Sequence, residues 1–112
     1  VWDHSDFKHD MHGRLRNTAR FIAVTTYGAR TEAEAAITRV RRIHDHVHGA
    51  LPGGEPYDAN DPRLLAWVHV AGSAMFLDGW VRYGEPGMSL PDMDRYWAEV
   101  EPIGRMLGAD PV

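Results

Sequence analysis

Along nearly the whole chain, apolar residues recur three and four positions apart, the spacing of one face of an α-helix. Glycines fall after each periodic run rather than in two-residue hairpin turns, so the pattern predicts an all-α domain. Ser5 is an acceptable N-cap for a short first turn that gives way near His12 and Gly13. A helix over residues 14–27 should stop at Gly28, which can take the left-handed conformation. Thr31 and Glu34 have the spacing of a capping box, and the helix they open is expected to run to about His48 and end at Gly49. Residues 51–57 hold too many prolines and glycines for regular structure and read as a loop. Asp61 followed by Pro62 marks the start of a long helix that reaches about Tyr83. Ser89 with Asp92 opens the last helix, over residues 90–106, which Pro102 is expected to kink or divide.

The 61–83 helix is apolar on all sides: Leu64, Leu65, Trp67, Val68, Val70, Met75, Phe76, Leu77, Trp80 and Val81 leave no wide polar face. The architecture that follows is a bundle of four to five helices around this central apolar helix. So few helices cannot enclose it, because small chains bury a limited share of their surface. Missing neighbours are therefore expected, as part of a larger all-helical domain or as a second copy in a homo-oligomer. Residues 1–112 read as a single domain or the central fragment of one, and a first residue of Val1 fits a longer or processed chain.

Composition narrows the function classes. With 44% hydrophobic and 25% charged residues the chain is ordinary globular material, which excludes disorder and low complexity. Sixteen acidic against 12 basic residues leave a net charge of −4, an argument against nucleic acid as a partner. With no cysteine there is no disulfide, thiolate site, iron–sulfur cluster or covalent c-type haem, so any metal must rest on nitrogen or oxygen ligands. The most apolar run, residues 64–77, is interrupted by His69, closed by Asp78 and shorter than the ~20 residues of a membrane helix, so no membrane span is expected. A cytoplasmic location is the default expectation. No nucleophile elbow, phosphate-cradling loop or dinucleotide fingerprint is present.

Candidate chemistry centres on His44. At about 100° per residue, Ala33, Ala36, Ile37, Val40, His44, Val47 and His48 share an arc of roughly 120°, with His44 near its middle. His46 projects to the opposite side, and Arg41 lies at the edge of the stripe one turn before His44. An imidazole aimed into an apolar interior suits an axial haem ligand, and Arg41 is placed to pair with a propionate. The same position also suits a core histidine hydrogen-bonded to a carbonyl. A third reading pairs His44 and His48 on zinc or non-haem iron, with His69 or Asp78 as third ligand, as in a metal hydrolase. Arg14 and Thr18, one turn apart, could hold an anionic group, or Arg14 could simply pair with a neighbouring carboxylate at the helix start. Trp67, Trp80 and Trp97 read as packing, Tyr57 as a pin for the glycine-rich loop, and His69 as a buried hydrogen-bonder or pocket residue.

Five motifs then follow in one order. They are Asp3-His4-Ser5-Asp6-Phe7; Arg14-Leu15-Arg16-Asn17-Thr18 with Phe21; Val40-Arg41-Arg42-Ile43-His44 with Val47 and Gly49; Tyr57-Asp58-Ala59 with Asp61-Pro62; and Leu64-Leu65-Ala66-Trp67-Val68-His69. This order resembles the catalytic domain shared by the latex-clearing rubber oxygenases and the fungal oxygenase of mycophenolic acid biosynthesis. The resemblance continues through Arg95-Tyr96-Trp97-Ala98-Glu99 to Leu107-Gly108. It implies an all-helical haem b protein with His44 as the iron ligand, Arg41 at a propionate, and Arg14 and Thr18 lining the haem pocket. The implied activity is that of an oxygenase acting with O2 on a small hydrophobic substrate, since the characterised members cleave carbon–carbon double bonds of isoprenoid chains. Where the rubber oxygenases carry a lysine before the threonine this chain has Asn17, which can neither ligate iron nor supply a positive charge. Their catalytic glutamate belongs to a region upstream of these motifs. Set against this is a haem-free helical binding or assembly module in which the histidines are structural.

Overall fold

The computed structural model describes residues 3–110. After a 3-10 turn at Asp6–Lys8, four α-helices follow: α1 (Met11–Tyr27), α2 (Arg30–His44), α3 (Pro62–Tyr83) and α4 (Leu90–Leu107). Between α2 and α3 lies a two-stranded antiparallel hairpin, β1 (His48–Ala50) with β2 (Pro56–Asp58), in the register His48↔Asp58, Gly49↔Tyr57, Ala50↔Pro56. The class is all-α, as the periodicity implies.

Strong local chemistry sets several boundaries. Asp61 caps α3 by accepting from the Arg63 amide at 2.9 Å, and Pro62 takes the first helical position, where a missing donor is harmless. At α4 the Ser89 hydroxyl accepts from the Asp92 amide at 3.2 Å and donates to the Asp92 carboxylate at 2.8 Å. The other end of α4 closes on Gly108, whose φ of 97° lies in the left-handed region that favours glycine. Pro102 neither ends nor divides α4. It and Ala98, whose carbonyl loses its helical partner, are both exposed, so solvent can take that carbonyl.

Elsewhere the local signals mislead. The first long helix begins at Met11 rather than near residue 14, because Asp10 caps it by accepting from the Gly13 amide at 2.8 Å. Gly28 ends α1 in an extended conformation, φ −76° and ψ 165°, not a left-handed one. The Thr31–Glu34 capping box does not form. Helix α2 already starts at Arg30 with Ala29 at its N-cap, and Glu34 instead pairs with Arg30 at 2.8 Å. The same helix ends at His44, four residues before the expected point, and the residues beyond it turn into the hairpin.

The principal packing runs α1 on α2, α2 on α4 and α4 on α3, so α2 and α4 are each flanked on two sides and the apolar α3 lies at one end of the series. The apolar α3 is covered along one side, where Leu65, Ala66 and Ser73 are buried. Its other side is open: Trp67 (70% exposed), Val68, Met75, Phe76 and Trp80 face outward. Trp67 therefore does not pack as the sequence suggests, whereas Trp80, though largely exposed, lies against Gly84 and donates through Nε1 to Glu85 at 3.1 Å. By length and composition α3 could cross a membrane, since its 22 residues exceed the apolar run visible in the sequence; the side that carries Ser73 faces protein.

The whole molecule is correspondingly open. Its radius of gyration is 15.5 Å, against about 13 Å for a compact domain of this length. It exposes 8670 Å², where a closed monomer of this mass exposes roughly 6,200 Å².

Candidate functional site

A connection of two residues makes α1 and α2 an antiparallel pair. Arg14 and Thr18 near the start of α1 therefore lie toward the same end of the pair as Arg41 and His44 at the end of α2. The Arg14 guanidinium donates to the Thr18 hydroxyl, which in turn donates to the Arg14 carbonyl at 3.2 Å. The two side chains thus bond each other, with Arg14 half-buried and Thr18 exposed.

Helix α2 presents His44 at its last position, half-buried, and the His44 Nδ1 atom is shut off from solvent without a hydrogen-bond partner. The carbonyl expected for a structural core histidine is thus not bonded to Nδ1. Arg41, one turn earlier and exposed, donates through Nη1 to the Met106 carbonyl at 3.4 Å, which ties α2 to the last turn of α4. One weak bond occupies a single donor of the five on a guanidinium, so the rest stay available to an anion. His46, beyond the end of α2, is exposed, with Nδ1 2.9 Å from the Arg42 carbonyl.

His48 is displaced from its expected place. It opens strand β1 and is exposed, so it does not stand one turn above His44 on the same helix face. The proposed third metal ligands are also apart from His44. Asp78 pairs with Arg82 at 2.9 Å, and His69 faces α4. Among the described residues no group of three or more His, Asp or Glu side chains converges on one point.

Two further residues frame the end of α2. Asn60 donates through Nδ2 to the Arg41 carbonyl at 3.2 Å and to the Asp45 carboxylate at 2.7 Å, and its own amide is fixed by Asp58 Oδ1 at 2.8 Å. The sequence reading missed both Asn60 and Asp45. The local signal there, Asp58-Ala59-Asn60-Asp61-Pro62, announces only a helix start. Tyr57 holds the hairpin to the N-terminal segment rather than to the core: its hydroxyl lies 2.5 Å from His4 Nε2, the rings meet edge-on at 5.7 Å, and the phenol covers Gly49 across the hairpin.

A concavity lies between α3 and α4, apart from His44. It encloses about 280 Å³ and is walled mainly by Ala66, His69, Val70, Trp97, Val100 and Gly104. Gly104 matters because a Cβ there would stand 2.6 Å from His69 Cδ2, so only glycine lets the imidazole lie this close to α4. His69 Nε2 is buried without a partner, the pocket role of the two foreseen for it. Below, the Tyr96 hydroxyl donates to the Ser73 carbonyl at 2.8 Å, and burial pushes its pKa above the usual phenol range.

No curated protein and no solved structure matches this chain. A family model does, over residues 1–112: the one described as ER-bound oxygenase mpaB/B'/rubber oxygenase, catalytic domain.

Proposed function

The chain belongs to the mpaB and rubber oxygenase catalytic-domain family, and from that premise we propose that it is a haem b-dependent oxygenase domain in which His44 holds the iron. The observation that carries this reading is the half-buried imidazole at the end of α2, whose Nδ1 is shut off from solvent and unpartnered. A porphyrin supplies four nitrogens of its own, so iron needs one neutral imidazole from the protein and no converging set of ligands. That is the donor set α2 offers, and the residues fit the group. Bound haem would supply the activation of O2 for attack on an apolar substrate.

The remaining roles fall to this chain's own side chains. His44 would present Nε2 to the metal, leaving Nδ1 on the protein side. Arg41 would balance a propionate through its free donors, and Arg14, oriented by Thr18, would bring a second cation to the same end of the α1–α2 pair. His48 belongs to the expected pocket set, and from β1 it could reach the site only as an outer neighbour. The apolar walls between α3 and α4 support a small hydrophobic substrate, with the cleavage of a carbon–carbon double bond as the finer proposal. Asn17, next to Thr18, cannot perform the ionic part of a lysine at that position.

A second reading, a haem-free binding or assembly module, draws on the uncovered face of α3. The non-haem hydrolase has no comparable support, since His48 and Asp78 are engaged elsewhere in the fold. An absorption spectrum combined with metal analysis separates the three. The oxygenase reading expects a Soret band and one iron per chain, and a colourless, metal-free protein that takes up no added haemin would overturn it.

A further inference from the structure

Among the described residues three buried side-chain polar atoms have no hydrogen-bond partner: His44 Nδ1, Asn60 Oδ1 and His69 Nε2. Two of these sit at the same helix end. The orientation of the Asn60 amide is not free, because Nδ2 faces two oxygens, the Arg41 carbonyl and the Asp45 carboxylate, and only the nitrogen can donate to both. Oδ1 is therefore an acceptor, turned away from them into protein. Its donor must come from nearby, and the two acceptors of Nδ2 bracket His44 in the chain: Arg41 stands one turn before it and Asp45 directly after it. On the helix they lie within about 100° of His44 around the axis.

The base of the asparagine is rigid. Its amide is held by Asp58 Oδ1, the Ala59 amide donates to the Val47 carbonyl at 2.9 Å, and the Asp61 amide donates to the Asp58 carbonyl at 3.1 Å. A fixed acceptor that lacks a donor and a ring nitrogen that can be one thus belong to the same helix end. Leaving both unpaired in a buried place is costly, and a single bond satisfies both.

We propose that Asn60 is the positioning residue of His44, its Oδ1 accepting the Nδ1–H of the imidazole directly or through one water. The bond selects the Nδ1–H tautomer and turns the Nε2 lone pair outward. Outer partners of this kind fix ring orientation and raise ligand basicity at metal sites. The tautomer assignment stands by itself, and its consequence for iron rests on the oxygenase reading above.

Nitrogen-15 NMR of the histidine side chains tests the bond in the full chain without cofactor, at a pH where His44 is neutral. The expected wild-type spectrum shows His44 protonated at Nδ1. In Asn60→Leu the ring should move to the Nε2–H form, while the exchange variant Asn60→Asp/Asp45→Asn, which keeps an acceptor at position 60 and a donor at 45, should retain Nδ1–H. A wild-type ring protonated at Nε2, or an Nδ1–H population unchanged by Asn60→Leu, overturns the proposal. If Asn60→Leu does not fold, the wild-type and exchange spectra decide. Haemin titration then reads the consequence: Asn60→Leu should bind roughly 10- to 100-fold more weakly, with the exchange variant close to wild type. A wild type that binds no haemin would defeat the oxygenase reading and leave the NMR result standing.

Discussion

His44 occupies the last helical position of α2, where the backbone carbonyls lose their helical partners and the next residues turn away. That placement is partly visible in the sequence, because the wheel puts His44 in the apolar stripe and His46 outside it, as observed. The wheel fails one step later. It assumes helix through residue 48, whereas the chain tightens into turns after His44, with the His46 and Val47 amides donating to the Ile43 and His44 carbonyls, and Asn60 closes that end from 19 residues beyond Arg41 and 15 beyond Asp45. No local pattern encodes a cap delivered from that distance. The displaced His48 provides a test: His48→Ala should leave haemin uptake within a few-fold of wild type, and abolition of the Soret band by that change alone would return His48 to the ligand set. Tyr96 makes a separate prediction. Its phenol holds its proton more tightly in the fold than in the unfolded chain, so the stability this confers is complete below pH of about 10 and is lost as pH rises through the folded value. Urea midpoints followed from pH 9 upward should fall for the wild type, and Tyr96→Phe should remove that part of the decline; identical profiles would show that Tyr96 contributes nothing to it.

Helix ends were legible where two cues coincide. Asp61 with Pro62, and Ser89 with Asp92, each combine a side-chain acceptor with a residue suited to the first turn, and both caps form. Thr31 with Glu34 has equally good spacing, yet Arg30 already lies inside the helix and takes Glu34 as its ion partner, so the threonine is a mid-turn surface residue. The pair of caps gives opposite expectations. Ser89→Ala should cost about 1 kcal/mol and lower Tm by several degrees, whereas Thr31→Ala should change stability by less than about 0.5 kcal/mol. Thermal melts of the two variants check this, and equal losses would contradict the observed start of α2. The hairpin went unread for another reason: its three-residue strands hold a glycine and a proline, and pairing His48 with Asp58 across ten residues supplies what their composition does not.

At the scale of the whole molecule, the sequence argument that the apolar helix cannot be covered by so few neighbours agrees with the surface it leaves open. The excess over a closed monomer is roughly 2,500 Å², more than one side of a standard protein interface contributes. The position of that helix was less legible, since an all-round apolar pattern says that a helix wants partners, not how many it has; α2 and α4, each with a clear polar side, are the ones between two others. These 112 residues alone should therefore bind a hydrophobic dye such as ANS strongly, and the double change Trp67→Ser/Phe76→Ser should reduce that signal. A chain that binds no dye would mean the face is covered in solution.

The central claim, that one imidazole at the end of α2 carries the iron of a haem, is tested most directly by removing that imidazole and giving it back. His44→Gly reconstituted with haemin should lose the Soret band of the wild type and recover it when free imidazole is added. A His44→Gly protein that keeps the full band without imidazole would contradict the account.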